Sequence, residues 1–397
     1  MSHASRVILT TIIAQLACSL TLYGEEVNDS VPLHSLGEVI VTGNSVNRRI
    51  ADSHLGAENI ELSKMSLTPV LFGENDIIKS ITLLPGVNSE GEGAGGYEVR
   101  GGTASQNHIL MDGISLFNPA HVMGIFSTFN EDALARATLY KGPIPAAYGG
   151  ASSSVLDVGL DSGDPYSYHG ALTVGVLAAK IKASGPILGD KLTFAVSARR
   201  SYVDMFLKMV PEYRDIVMNF YDVTAKVRYN PSPGNYIDAS FFGARDNMSI
   251  EDVMGMRWGN VGGSLSWITQ AGDRWHFVTT AAVTSYTAKM DMRIMKSSQT
   301  LDEFIRSFSI NERVKFRIND DHELDGGVRS ELLHVKSGEM SMNNNIDKEI
   351  KAGWQNAFWI DCNGRFDRLT VTGGLRMSAI SAMTCEFLND FKSSFGS

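Results

Sequence analysis

Two places in this sequence carry residue types that could do chemistry. Gly91-Glu92-Gly93-Ala94-Gly95-Gly96 has the G-x-G-x-x-G spacing whose backbone amides can cradle a pyrophosphate, and Asp321-His322 sets a carboxylate beside an imidazole, as a hydrolase requires. Neither has the surroundings its chemistry needs. A dinucleotide loop follows a strand and opens a helix, whereas this one follows Leu84-Pro85-Gly86 and precedes a β-prone run, so a tightly turning, closely packed loop accounts for it. Asp321 and His322 fall in a short polar connection, where a solvated turn is the simpler reading. With no G-x-S-x-G, H-E-x-x-H or P-loop, no catalytic residue is assigned and the chain does not read as an enzyme. Cys18, Cys362 and Cys385 show no CxxC or Cys/His spacing, so neither a metal site nor a disulfide framework is expected, and no cofactor is implied.

The elements that would position any site change character near Asp164. From there on, apolar and polar residues alternate with a period of two. In Phe220 to Tyr229, Tyr221, Val223, Ala225, Val227 and Tyr229 share one face, and Asp222, Thr224, Lys226 and Arg228 the other. The same alternation runs through Leu192 to Arg199, Trp275 to Val283, Arg313 to Ile318 and Trp354 to Ile360. A charged face opposite an apolar one suits strands with lipid outside and water inside. A soluble sandwich or propeller also alternates, and the connections decide between them. Short turns (Pro231 to Asn235, Ala271 to Asp273, Asn319 to His322, Cys362 to Gly364) take turns with long polar stretches (Tyr202 to Asn219, Asp246 to Arg257, Ala288 to Asp302, Lys336 to Lys348). That asymmetry belongs to outer-membrane barrels. If Gly185 to Lys191 is another short turn, Tyr168 to Pro186 holds two strands with a bend near Leu177 to Ala179, giving about eleven strands in all.

Composition agrees. No run of ~18 apolar residues follows the N-terminus, which excludes helical spans but not strands. Arg6, the apolar stretch Val7 to Leu22 and then Gly24-Glu25-Glu26 read as a secretory signal peptide over residues 1–24. Gln15-Leu16-Ala17-Cys18 makes a poor lipoprotein signal. A net charge of -9 argues against nucleic acid, and the Lys and Arg residues sit mostly on strands, where they would line a wet lumen.

Ahead of the strands, residues 25–55 read as a flexible arm with one β-prone run, Leu36 to Gly43, and residues 56–164 as a small α+β domain. Thr68-Pro69 can start a turn, and Ile77, Ile78, Ile81 and Leu84 recur at helical spacing until Pro85-Gly86. Tyr97 to Arg100, His108 to Met111 and Ala137 to Tyr140 read as strands, and Asn130-Glu131-Asp132 caps a short helix.

The motifs of this domain, Phe72-Gly73-Glu74-Asn75-Asp76-Ile77-Ile78-Lys79, Leu84-Pro85-Gly86-Val87, Val99-Arg100-Gly101-Gly102, Gln106-Asn107, Met111-Asp112-Gly113, Asn118-Pro119, Phe129-Asn130, Leu139-Tyr140-Lys141-Gly142 and Tyr148-Gly149-Gly150, resemble the plug domain of TonB-dependent outer-membrane receptors of Bacteroidetes type. The resemblance implies a plug inside an antiparallel transmembrane β-barrel, energy-coupled import of a bulky nutrient (metal chelate, cobalamin or glycan), and no covalent chemistry. It implies that Glu38, Val39, Ile40, Val41 and Thr42 act as a TonB box, binding the TonB-ExbB-ExbD complex as an added strand. Arg100 and Asp112 are expected to seat the plug against the lumen wall, with local turn stabilisation the alternative. Gly101, Gly102, Gly142, Gly149 and Gly150 are expected to serve backbone geometry, and Gly113 and Lys141 belong to the same motif set.

Two departures follow. The segment before Leu36 is too short for the β domain that often precedes the box. The family barrel has about 22 strands, so the strands of residues 165–397 read as an incomplete barrel, the N-terminal part of a receptor. Open edges in lipid would leave backbone groups unpaired, so a separate polypeptide supplying the missing strands is one expectation. A non-functional remnant, a plug-only periplasmic binding module and a barrel hydrolase are the others.

Overall fold

The computed structural model describes residues 56–62, 75–91, 95–251, 253–294, 297–336, 350–366 and 369–383. The signal-like segment, Glu38 to Thr42, Thr68-Pro69, Phe72 to Glu74, Glu92 to Ala94, most of the Lys336 to Lys348 connection, Cys385 and Phe391 to Ser397 lie outside them.

The first domain contains β1 (Ala57–Asn59), α1 (Ile77–Ile81), β2 (Val87–Ser89), β3 (Tyr97–Val99), β4 (Asn107–Met111), β5 (Ile114–Leu116), β6 (Ala120–His121), β7 (Phe126–Ser127), β8 (Leu134–Lys141) and β9 (Ser154–Leu160). Five strands form a sheet ordered β1-β8-β9-β4-β5, in which only β4 and β9 run parallel. The helix buries Ile77, Ile78 and Ile81 against Met111, Ile114, Leu139, Leu156 and Val158. It starts at Asp76, whose Oδ1 accepts from the amides of Ile78 (2.8 Å) and Lys79 (3.3 Å), the N-cap arrangement that satisfies amides with no partner inside a helix. The second carboxylate oxygen accepts from the Ser127 amide at 2.6 Å, so the cap also ties α1 to β7. Asn130 accepts from the Asp132 amide and caps the short 3-10 turn Glu131–Ala133, where the sequence places a helix start.

The remainder is one antiparallel sheet of eleven strands in chain order. They are β10 (His169–Val174), β11 (Ala178–Leu188), β12 (Leu192–Ser201), β13 (Ile216–Ser232), β14 (Asn235–Ile250), β15 (Met254–Ala271), β16 (Trp275–Ile294), β17 (Ser297–Arg317), β18 (His322–Lys336), β19 (Ile350–Phe366) and β20 (Leu369–Met383). The strand count and the bend near Leu177 agree with the sequence pattern. Among the described residues β10 and β20 each pair on one side only, so the sheet does not close.

Burial shows which face is which. In β13 Asp222 is 1% exposed while Tyr221 is 44% exposed, and the inversion holds elsewhere: Arg199, Lys226 and Asp246 are buried, Val227, Phe241, Val283, Phe308 and Phe358 exposed. The charged face covers the first domain and the apolar face looks outward, as in a membrane barrel. Trp275 packs on Phe277 and Phe316 at the short-turn end, the position of an aromatic girdle.

One short turn and two of the long connections are corrected: Cys362 to Gly364 lies within β19, paired to both β18 and β20. Asp246 to Arg257 and Ala288 to Asp302 are mostly strand, because β14 continues to Ile250, β15 begins at Met254, β16 continues to Ile294 and β17 begins at Ser297. In these extensions the outward residues are polar, as expected where strands rise beyond lipid, so the alternation that marks a membrane strand fades. Tyr202 to Asn219 is a true excursion, with α2 (Val203–Leu207) and a 3-10 turn at Pro211–Tyr213, although β13 already begins at Ile216.

Candidate functional site: the plug seat and the mouth

Strand alternation brings inward-facing charges of the wall onto the loops of the first domain, and three clusters of ion pairs are prominent among the contacts that hold it there. The most buried is built on His121, at the end of β6. Its Nδ1 lies 2.6 Å from Asp246 Oδ2 on β14, and its Nε2 lies 3.4 Å from Asp222 Oδ2 on β13. The other Asp246 oxygen accepts from the Val122 amide at 2.8 Å. Arg199 on β12 donates through Nε to Asp222 at 2.7 Å and through a terminal nitrogen to the Ser127 carbonyl at 2.7 Å. Phe220 stacks on the imidazole at 4.2 Å between ring centroids and meets the guanidinium at 5.2 Å. Burial opposes a charge on His121, but hydrogen bonds and attraction from Asp222 and Asp246 outweigh it, raising its pKa above the ordinary histidine value.

Asp112 builds the second contact. Its Oδ2 accepts from the Ser240 hydroxyl at 2.8 Å and lies 3.0 Å from Lys226 Nζ, while Oδ1 accepts from the Leu160 amide at 3.3 Å. Lys226 also reaches Asp238 at 3.3 Å, which Arg228 holds with two bonds. The same carboxylate thus serves the seat and the local turn. Asp112 (φ 47°) and Gly113 (φ 82°) form the tight link between β4 and β5. A Cβ on Gly113 would meet Thr280 Cγ2 at 2.9 Å. Gly113→Val is therefore expected to destabilise the seated domain by about 1–3 kcal/mol, with Gly113→Ala milder, measured by urea titration in detergent micelles.

The third contact pairs Lys180 with Glu131 at 2.5 Å and Lys182 with Asp161 at 2.7 Å, beside a bond from the Asn130 side-chain Nδ2 to the Ser197 hydroxyl at 2.6 Å.

Arg100 is placed differently from Asp112. It is exposed at φ 51°, and its described contacts lie within its own domain: its amide donates to the Gly86 carbonyl, and its guanidinium crosses Gly142 where a Cβ would sit 2.4 Å away. Lys141 is buried, donating to the Pro85 carbonyl at 3.0 Å and pairing with Glu58 at 3.2 Å. Gly101 and Gly102 make the turn after β3, Gly142 follows β8, and Gly149 and Gly150 precede β9. Gly149 leaves room for the Arg376 guanidinium of β20, 2.3 Å from an added Cβ. His121, Asp222, Asp246 and Arg199 were not singled out as a site from sequence, and no spacing links residues so far apart in the chain. The one available signal was charge on the inward face of the strands.

Asp321 and His322 lie in the turn between β17 and β18. Asp321 pairs with Arg365 at 2.6 Å, and His322 Nδ1 lies 2.9 Å from Asn319 Oδ1. Gly95 borders a cavity of about 240 Å³ at the long-connection end, between the first domain's Asn118 and Ala120 and the wall's Trp258, Tyr286 and Met256. Trp258, which lines the cavity, donates to the Ala120 carbonyl at 3.3 Å. A larger space of about 580 Å³ opens beside His108, Arg329, Glu331 and Arg376. Burial, reinforced by Arg329, holds the His108 ring neutral with a pKa of about 4.

A small domain is thus held by ion pairs against the charged face of a sheet whose exterior is apolar. Residues 71–155 match the model of the TonB-dependent Receptor Plug Domain. The chain carries a TonB-dependent receptor plug domain. The solved structures similar to it include the siderophore receptor PirA from Acinetobacter baumannii (TM-score 0.63, 14% identity, 82% of this chain and 57% of that one). Also similar are a mutant of the ferric enterobactin receptor PfeA from Pseudomonas aeruginosa (0.61, 12%, 84% and 58%) and the outer membrane transporter YddB from Escherichia coli (0.59, 11%, 82% and 56%). At such identities the likeness is one of fold, here a plug followed by part of a TonB-dependent receptor barrel. This chain spans less than two thirds of the length of each of them. No curated protein matches the sequence.

Proposed function

We propose that this plug and wall serve energy-coupled uptake of a bulky ligand across the outer membrane, captured at the extracellular mouth and released inward when TonB remodels the plug. The observation that carries this reading is the seat. The plug is fixed to the wall through side-chain ion pairs and hydrogen bonds, which can be broken and remade without unfolding the sheet. A metal chelate is the cargo class favoured by the fold shared with the siderophore receptor PirA and the ferric enterobactin receptor PfeA. The Trp258 and Tyr286 rings at the mouth suit a ligand with flat apolar surface.

The coupling partner is TonB with ExbB and ExbD, engaged by Glu38 to Thr42 adding as a strand to a partner edge. The outer sides of β10 and β20, unpaired among the described residues, need further strands in lipid, from the same polypeptide or from a second one. The test replaces Val41 with proline, which removes a main-chain donor and prevents strand addition. In cells able to assemble the receptor, uptake of a labelled ferric siderophore is expected to fall to background while binding to the same cells persists. Uptake at the unsubstituted rate would remove the box from the mechanism.

A further inference from the structure

The wall carries an unusual side-chain set just above the His121 seat. Phe220, Asp246, Trp258 and Ala288 are register partners on the inward face. Two residues farther toward the mouth, the partners on that face are Met218, Met248, Met256 and Met290, followed by Leu301 on β17. The next rung is Ile216, Ile250, Met254, Met292 and Gln299. Six of the chain's 17 methionines thus fall on two adjacent rungs of four neighbouring strands.

Strand formation does not account for them. Methionine lacks the β-branch or ring that favours pleated structure, and fixing each one costs rotamer entropy. Core packing accounts for Met218, which packs against Val122, Phe126, Ala178 and Phe220, but not for the other five, which are half-buried outside that cluster, Met256 and Met290 bordering the 240 Å³ cavity. What the set offers is sulfur. Directly opposed residues of an antiparallel pair hold their Cβ atoms about 4.5–5.5 Å apart, so thioethers on neighbouring strands can converge on one ion. Neither rung contains a charged residue. Among the described residues no group of three or more His, Cys, Asp or Glu side chains could hold a harder metal.

We propose that adjacent members of the row Met218, Met248, Met256 and Met290, with Met254 and Met292 behind them, hold a soft monovalent cation, Cu(I) or its redox-inert analogue Ag(I), through two or three thioethers from neighbouring strands. Thioether sulfur selects such ions over the divalent cations that oxygen and imidazole prefer. The site goes beyond the uptake reading, whose cargo is a bulky chelate and not a bare ion, and the test reads binding alone.

The full chain, in detergent micelles and labelled with ¹³C at the methionine methyls, is titrated with Ag(I). Saturable shifts are expected in the six wall methionines and not in Met377, which lies on the outward face of β20. The variant Met218→Leu/Met248→Leu/Met256→Leu/Met290→Leu is expected to weaken Ag(I) binding by about tenfold or more, and Met377→Leu to leave it unchanged. If the fourfold variant loses strand content by circular dichroism, Met248→Leu/Met256→Leu is read in its place. Shifts confined to other methionines, no saturable binding, or affinity that survives the leucine substitutions would each overturn the site and leave an adaptable apolar wall. Loss of transport in the Val41→Pro chain with Ag(I) binding intact separates the two readings.

Discussion

Replacing Asp246 with alanine is expected to weaken plug seating by about 3–5 kcal/mol, because it leaves the buried His121 with one of its two carboxylate partners and strips the Val122 amide of its acceptor. The exposed pair between Arg365 and Asp321 is the contrast, since a surface bridge contributes about 0–1 kcal/mol. Hydrogen exchange of the β6 to β7 segment measures the loss, as faster exchange at Val122, Phe126 and Ser127 with the strands of the wall unchanged. A double variant separates lost attraction from stranded charge. Adding His121→Phe to Asp246→Ala removes the ring nitrogens that would otherwise be left under-paired, so the double variant is expected to exchange more slowly than Asp246→Ala alone. Equal exchange in wild type and Asp246→Ala would mean that the Asp246 contacts do not hold the plug in place.

The wall was legible because its physics is local. Tyr221 and Asp222 are neighbours that must face opposite media, and the alternation that separates them is visible in ten residues of sequence. The strand extensions at Asp246 to Ile250 and Ala288 to Ile294 were not legible, since outside lipid nothing requires an apolar outward face. β9 was missed for the converse reason. Ser154–Leu160 is buried on both faces at the centre of the plug sheet, so Val155, Leu156, Val158 and Leu160 show no period of two. The seat fell between these cases. Asp222 and Arg199 were visible as inward charges on alternating strands, but His121 meets Asp246 only because β14 brings together residues 125 apart in the chain. Asp112 carried a motif, Met111-Asp112-Gly113, yet nothing in that motif names Lys226 or Ser240 as its partners.

The seat should also loosen as pH rises. His121 is held above its ordinary value because Asp222 and Asp246 face it from β13 and β14, while Arg199 from β12 shares Asp222 and opposes the charge. Within the plug, Asp76 and Lys79 approach the same segment through Ser127 and Ile125. A histidine whose folded pKa is raised contributes stability that is fully present below its unfolded value of about 6.5 and is lost as pH climbs through the folded value. The sign follows from proton count, since above 6.5 the seated state retains a proton that the released state has given up. Exchange at the Val122 amide, corrected for the intrinsic dependence on pH, is therefore expected to quicken from neutral to alkaline conditions. His121→Gln, which can donate to Asp246 but cannot titrate, should remove that increment and behave alike at both ends of the range. A seat that tightens with rising pH, or a glutamine variant that keeps the full dependence, would assign the titration to another group. In that case the His121 contact with Asp246 would be a hydrogen bond from a neutral ring, and the charge on Asp222 would be answered by Arg199 alone.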